Sequence, residues 1–101
     1  MFGFLKKLFG PKADFKALVE AGATIIDVRT PHEFDSGHIR SSKNIPLQNI
    51  QKAIPELKNS GKVVITVCRS GSRSGMAKSI LKSAGIEVYN GGAWNVLRSK
   101  I

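Results

Sequence analysis

The run Val63-Val64-Ile65-Thr66-Val67 is five β-branched residues without a break, and it constrains the fold more than any other feature. Such side chains are stiff at χ1 and suit a pleated backbone. A strand with no apolar/polar alternation is covered on both faces, the situation of a parallel sheet between layers of helices. Thr24-Ile25-Ile26-Asp27-Val28 repeats the pattern, Ile86-Glu87-Val88-Tyr89 reads as a further strand, and Asn44-Ile45-Pro46 as a brief one. Strands alternating with helical segments predict a three-layer α/β domain with a mainly parallel sheet of four or five strands. In such sheets ligands sit at the carboxyl ends of the strands. Cys68 follows the strongest strand directly.

The connecting segments carry helix signals. Asp14 to Ala21 reads as a short helix with Phe15, Leu18 and Val19 on one face and Gly22 at its end. Thr30-Pro31-His32-Glu33 has a hydroxyl cap, a proline at the first helical position and a carboxylate three residues after the cap. Leu47, Ile50 and Ile54 mark the apolar side of a helix that Pro55 is expected to stop, followed by a turn at Asn59-Ser60-Gly61. Ser74 to Ala84 predicts a helix with Met76, Ala77, Ile80, Leu81 and Ala84 inward and Lys78, Ser79, Lys82 and Ser83 outward. Asn90-Gly91-Gly92 reads as a turn before a last short helix over 93–98.

With 101 residues the chain has the size of one domain, divided here into an apolar and basic extension at 1–12 and the domain proper at 13–101. The net charge is +9, and between Ser36 and Ile86 nine basic residues face the single acid Glu56, so eight of the nine charges lie there. A field of that sign attracts small anions, nucleic acid or anionic lipid, and equally suits a plain solvated surface. One Trp, one Tyr, no zinc pattern and no basic helix with base-reading residues argue against specific nucleic-acid binding. Met1 to Gly10 is too short to span a bilayer and lacks the order of a signal peptide, so a cytoplasmic protein is expected. Near-helical spacing of Phe2, Leu5 and Phe9 allows at most peripheral membrane contact through residues 1–10.

Cys68 is the only cysteine, which excludes an internal disulfide or thiol relay. His32, His38 and Cys68 lack the spacing of a metal site, so no metal or other cofactor is expected. The loop Cys68-Arg69-Ser70-Gly71-Ser72-Arg73-Ser74 joins strand to helix. Successive backbone N–H groups in such a loop can converge on one point, and the helix N-terminus adds partial positive charge there. A thiol at that point ionises more readily than a free cysteine, whose pKa is about 8.5. A lone cysteine after a buried strand is also a small hydrophobe, but that role asks for no two arginines, glycine and three serines in the next six residues.

Three blocks in order resemble the rhodanese family. Ile26-Asp27-Val28-Arg29, Glu33-Phe34, Gly37-His38-Ile39 and Asn44-Ile45-Pro46 look like its amino-terminal signature, Cys68 to Ser74 like its active-site loop, and Asn90-Gly91-Gly92 with Trp94 like its closing motif. Ser74-Gly75 and the Asn-Gly-Gly ending are similar to small single-domain members of the phage-shock type. The resemblance implies a sulfurtransferase in which Cys68 takes sulfane sulfur from an anionic donor such as thiosulfate and passes it to a thiol or cyanide, with a sulfur-accepting protein as a further partner. Cys68 would be catalytic, and Arg69, Ser70, Gly71, Ser72, Arg73 and Ser74 would bind substrate. Asp27 and Arg29 would support the loop, or form an ordinary strand-end ion pair. His38 is expected to be structural, Glu33 a helix cap, and the protein a monomer. The chain departs from many members at its start, where they have a longer first strand.

Two rivals share this resemblance. Cysteine-dependent phosphatases of the same fold have a loop one residue longer than the six residues from Cys68 to Arg73. The other rival is a non-catalytic or sulfur-carrier module of the family that docks a protein partner; modules that only dock typically lose the cysteine, which this chain keeps.

Overall fold

The computed structural model describes residues 13–101, and the segment 1–12, with its membrane-contact reading, lies outside the described residues. Helix α1 (Phe15–Glu20) is capped by the Asp14 side chain, which accepts from the Ala17 amide at 3.0 Å. Strand β1 (Thr24–Asp27) leads to α2 (Pro31–Asp35), where Thr30 and Glu33 form the expected reciprocal capping box. Next come β2 (Lys43–Asn44), two 3-10 turns at Leu47–Asn49 and Gln51–Ala53, and α3 (Ile54–Ser60). Strand β3 (Val64–Cys68), α4 (Ser72–Ser83), β4 (Val88–Ala93) and α5 (Trp94–Lys100) complete the chain.

Among the described residues the sheet has four strands in the order β2-β1-β3-β4, and every pairing is parallel. This is the anticipated three-layer architecture, with four strands among the described residues. All five residues of β3 are buried, four of them from the β-branched run, whose first residue Val63 is half-buried just ahead of the strand. Alternate strand residues enter opposite layers. Ile26, Val28, Val64 and Cys68 join Ile50, Leu57, Ala77 and Leu81 beneath α3 and α4. Ile25, Ile65 and Val67 join Leu97 with Phe15, Leu18 and Trp94 beneath α1 and α5.

Five local expectations are corrected. Pro55 does not stop a helix but occupies the first turn of α3, where its missing N–H costs nothing, and the residues before it wind as 3-10 turns. Asn90-Gly91-Gly92 is no turn: it lies inside β4, where Thr66 pairs with Asn90 and Val67 with Gly92, leaving Gly91 as a bulge. Gly91 tolerates that position because a Cβ there would lie 2.9 Å from Ile65 Cγ2 and 3.0 Å from Val67 Cγ1. Helix α4 starts at Ser72, and Met76, expected inward, is 56% exposed on it, whereas Lys78, expected outward, is half-buried. Ala77 and Leu81, both fully buried, carry the packing face.

Candidate active site

Two loops, the one after β1 and the one after β3, meet β4 at the carboxyl edge of the sheet. Cys68 is the last residue of β3 and is only 1% exposed. Gly71, three residues on, turns the chain with φ +106° and ψ −9°, a conformation costly to residues with a Cβ. This turn points the Gly71 amide at Cys68 Sγ, 3.0 Å away, and brings the Ser74 amide to 3.4 Å. Gly71 has no side chain to cap α4, so the sulfur accepts from an otherwise orphaned amide of the first helical turn. The Ser74 hydroxyl lies 3.4 Å from the same sulfur.

Burial pushes the Cys68 thiol up, but the Ser74 hydroxyl and the amides of Ser74, Gly71 and Ser70 more than offset it, so its pKa lies below the ordinary cysteine value. The leading stabilisers of the thiolate are therefore neutral donors. The arginines of the loop stand elsewhere. Arg69 is exposed, as are Ser70 and Ser72. Arg73 forks onto Glu33, with Nη1 at 2.7 Å from Oε1 and Nη2 at 2.9 Å from Oε2. The guanidinium and the Thr30 amide hold the Glu33 carboxyl at about 2, below its ordinary 4.5. Glu33 thus caps α2, as expected, and also ties α2 to the cysteine loop.

Asp27 and Arg29 form a buried pair at the end of β1, with Arg29 Nη2 2.7 Å from Asp27 Oδ2. Arg29 also donates to the Glu33 and Gly37 carbonyls at 3.1 and 2.7 Å and lies 4.6 Å from the Trp94 ring centroid. More than a strand-end ion pair, it fixes the loop that carries Glu33 and, through Glu33, Arg73. His38 donates from Nδ1 to the Phe34 carbonyl at 2.7 Å and stacks on the Phe34 ring, a structural arrangement. Among the described residues no three His, Cys, Asp or Glu side chains gather as a metal would need.

Sequence reasoning assigned no individual role to Asn90. Its amide nitrogen donates to the Gly71 carbonyl at 3.1 Å, while its Oδ1 accepts from the Ser74 hydroxyl at 2.6 Å and the Gly92 amide at 2.9 Å. The only signal in the sequence was the co-occurrence of Asn90-Gly91-Gly92 with Ser74-Gly75. A cleft of about 550 Å³ runs beside the loop, its lining including Ser70, Gly71, Lys78, Tyr89, Asn90 and Gly92. A smaller cavity of about 220 Å³ near Leu57, Gly61 and Ile86 lies at the amino edge of the sheet, away from the thiol.

An activated thiol held at a helix N-terminus is chemically a nucleophile that can accept an electrophilic sulfur. Comparison with known proteins bears on the class. The chain is 41% identical over 69 residues to the uncharacterised protein YqhL of Bacillus subtilis, covering 67% of this chain and 54% of that protein, so it spans about half of YqhL. It is 34% identical over 86 residues to the thiosulfate sulfurtransferase PspE of Escherichia coli, covering 81% of this chain and 80% of PspE. A solved rhodanese with anions from E. coli superposes with a TM-score of 0.67 at 32% identity, covering 73% of this chain and 89% of that one. The family pattern described as the rhodanese-like domain matches residues 11–96, and the chain belongs to that family.

Proposed function

We propose that this protein is a small single-domain thiosulfate sulfurtransferase that carries sulfane sulfur as a persulfide on Cys68. The observation that carries the reading is the convergence of the Gly71 and Ser74 amides and the Ser74 hydroxyl on one buried sulfur. The similarity to PspE along 80% of that protein's length supports the substrate class and the single-domain type. The Cys68 thiolate attacks the outer sulfur of thiosulfate. A sulfur–sulfur bond forms to Cys68, and the bond to the sulfonate sulfur breaks, its electron pair leaving with sulfite. An acceptor thiolate or cyanide then attacks the outer sulfur of the persulfide and returns Cys68 as thiolate, giving a new persulfide or thiocyanate. The loop amides stabilise negative charge on whichever sulfur is anionic. Exposed Arg69, Ser70 and Ser72 offer the arriving sulfonate a cation and hydroxyl donors, while Arg73 holds the loop through Glu33.

Incubation with thiosulfate is expected to add the mass of one sulfur atom to the wild type and none to Cys68→Ser. A thiosulfate:cyanide assay beside a phosphatase assay separates this reading from phosphate chemistry. Sulfite release by Cys68→Ser overturns it.

A further inference from the structure

The Ser74 hydroxyl has one proton and two neighbours that can accept it: Asn90 Oδ1 at 2.6 Å and Cys68 Sγ at 3.4 Å. Which way Asn90 faces is not ambiguous. Its oxygen must meet the Gly92 N–H and its nitrogen the Gly71 carbonyl, so Oδ1 points at Ser74. With the proton on the 2.6 Å bond, Ser74 Oγ presents a lone pair to the sulfur. That arrangement suits a thiol, whose S–H can donate to Oγ. It does not suit a thiolate, which has nothing to donate and needs every donor in reach.

We propose that Asn90 is a positioning residue that sets the direction of the Ser74 hydroxyl, which turns from Asn90 Oδ1 to Cys68 Sγ when that sulfur becomes anionic. The thiol proton leaves to solvent and Ser74 keeps its own, so the step is a rotation about the Ser74 Cβ–Oγ bond. Asn90 Oδ1 keeps the Gly92 N–H throughout and is never left unpaired. The packing is shaped for this. Gly75 lies in the interior of α4, where glycine is the least favourable residue after proline, yet a Cβ there would come within 3.2 Å of the Asn90 amide nitrogen. The Ser74-Gly75 and Asn90-Gly91-Gly92 motifs are thereby one device: the glycine makes room for the amide that orients the serine.

Four of the charged groups around the site are paired, and the others stand away from the sulfur. Asp27 and Arg29 of the β1 end pair with each other, and Arg73 of α4 pairs with Glu33 of α2. Lys78 of α4 and Lys100 of α5 line the cleft, Arg98 of α5 lies over Trp94, and Arg69 is exposed. None of them hydrogen-bonds the sulfur, so the hydroxyl is the adjustable donor.

The inference rests on the sulfurtransferase reading for its consequence, but its test needs no sulfur transfer. In the intact wild-type protein the Asn90 side-chain carbonyl carbon is followed by NMR while the Cys68 thiol is titrated. Its shift is expected to move with the midpoint of the thiol and to lose most of that movement in Ser74→Ala. A second reading uses thiol alkylation below the thiol midpoint. Asn90→Leu, which removes the competing acceptor, is expected to speed alkylation roughly two- to tenfold more in the wild-type background than in the Ser74→Ala background. An Asn90 carbon that stays still while the thiol titrates overturns the proposal, as does an equal effect of Asn90→Leu in both backgrounds. A coupled titration with no uptake of sulfur from thiosulfate would instead sink the sulfurtransferase reading alone.

Discussion

At the scale of single residues, the loop is governed by who holds each charge. Arg29 is 3% exposed and saturated by Asp27 and two carbonyls, so its removal strands a buried carboxylate. Arg29→Met is expected to lower stability by about 3–5 kcal/mol in urea denaturation, as for other broken buried pairs. Glu33 is different, because about 29% of its side chain is exposed and solvent screens its pairing with Arg73. Its carboxyl is held at about 2 in the folded chain against 4.5 ordinarily, so its contribution is present above 4.5 and lost as pH drops towards 2. Glu33→Gln is therefore expected to lose less stability than wild type over that window, which acid titration of the unfolding midpoint would show. Equal acid sensitivity would mean that the Glu33–Arg73 pair contributes nothing.

At the scale of elements, α4 both packs the core and aims its first turn at the sulfur. Leu81 is fully buried among Ile26, Val64 and Ala77, so Leu81→Ala is expected to cost about 2–5 kcal/mol. Exposed Met76 should accept lysine with a change within about 0.5 kcal/mol. Gly75→Ala would stabilise a free helix by roughly 1 kcal/mol, yet its Cβ would crowd Asn90 at 3.2 Å. We therefore expect no gain in stability by urea denaturation; a gain of the full helix value would show that Asn90 moves aside freely. At the β4 bulge, a Cβ on Gly91 would meet the Thr66 carbonyl at 3.1 Å as well as the two side chains already named. That is overpacking against backbone, and Gly91→Ala is expected to cost about 1–3 kcal/mol.

At the scale of the whole molecule, eight of the nine net charges fall between Ser36 and Ile86, and the cysteine loop lies in that half. Lys78 lines the cleft beside the loop, whereas Lys82 is exposed one turn further along α4. If this field draws in thiosulfate, Lys78→Glu should slow the second-order reaction more than Lys82→Glu at low salt. Both differences should shrink as the Debye length shortens to about 8 Å at physiological ionic strength. Transfer to a neutral thiol should change far less; equal changes in both half-reactions would assign the charge to another purpose.

Local chemistry by itself determined the parallel sheet, through β-branched runs too apolar for a one-sided strand. It also determined the α2 capping box and the cysteine at a strand end before a glycine-containing loop, because each depends on residues a few positions apart. The pairings across the chain were decided by tertiary structure: Glu33 with Arg73, 40 residues on, and Asn90 with Gly71 and Ser74. No local period encodes contacts of that span. The same holds for Asn90-Gly91-Gly92, whose turn-forming residues entered β4 because pairing with β3 offered hydrogen bonds that a free turn lacks. Within its loop Arg73 has the chemistry of an anion-binding group, and the fold adds a Glu33 carboxylate from α2 that local sequence does not reveal.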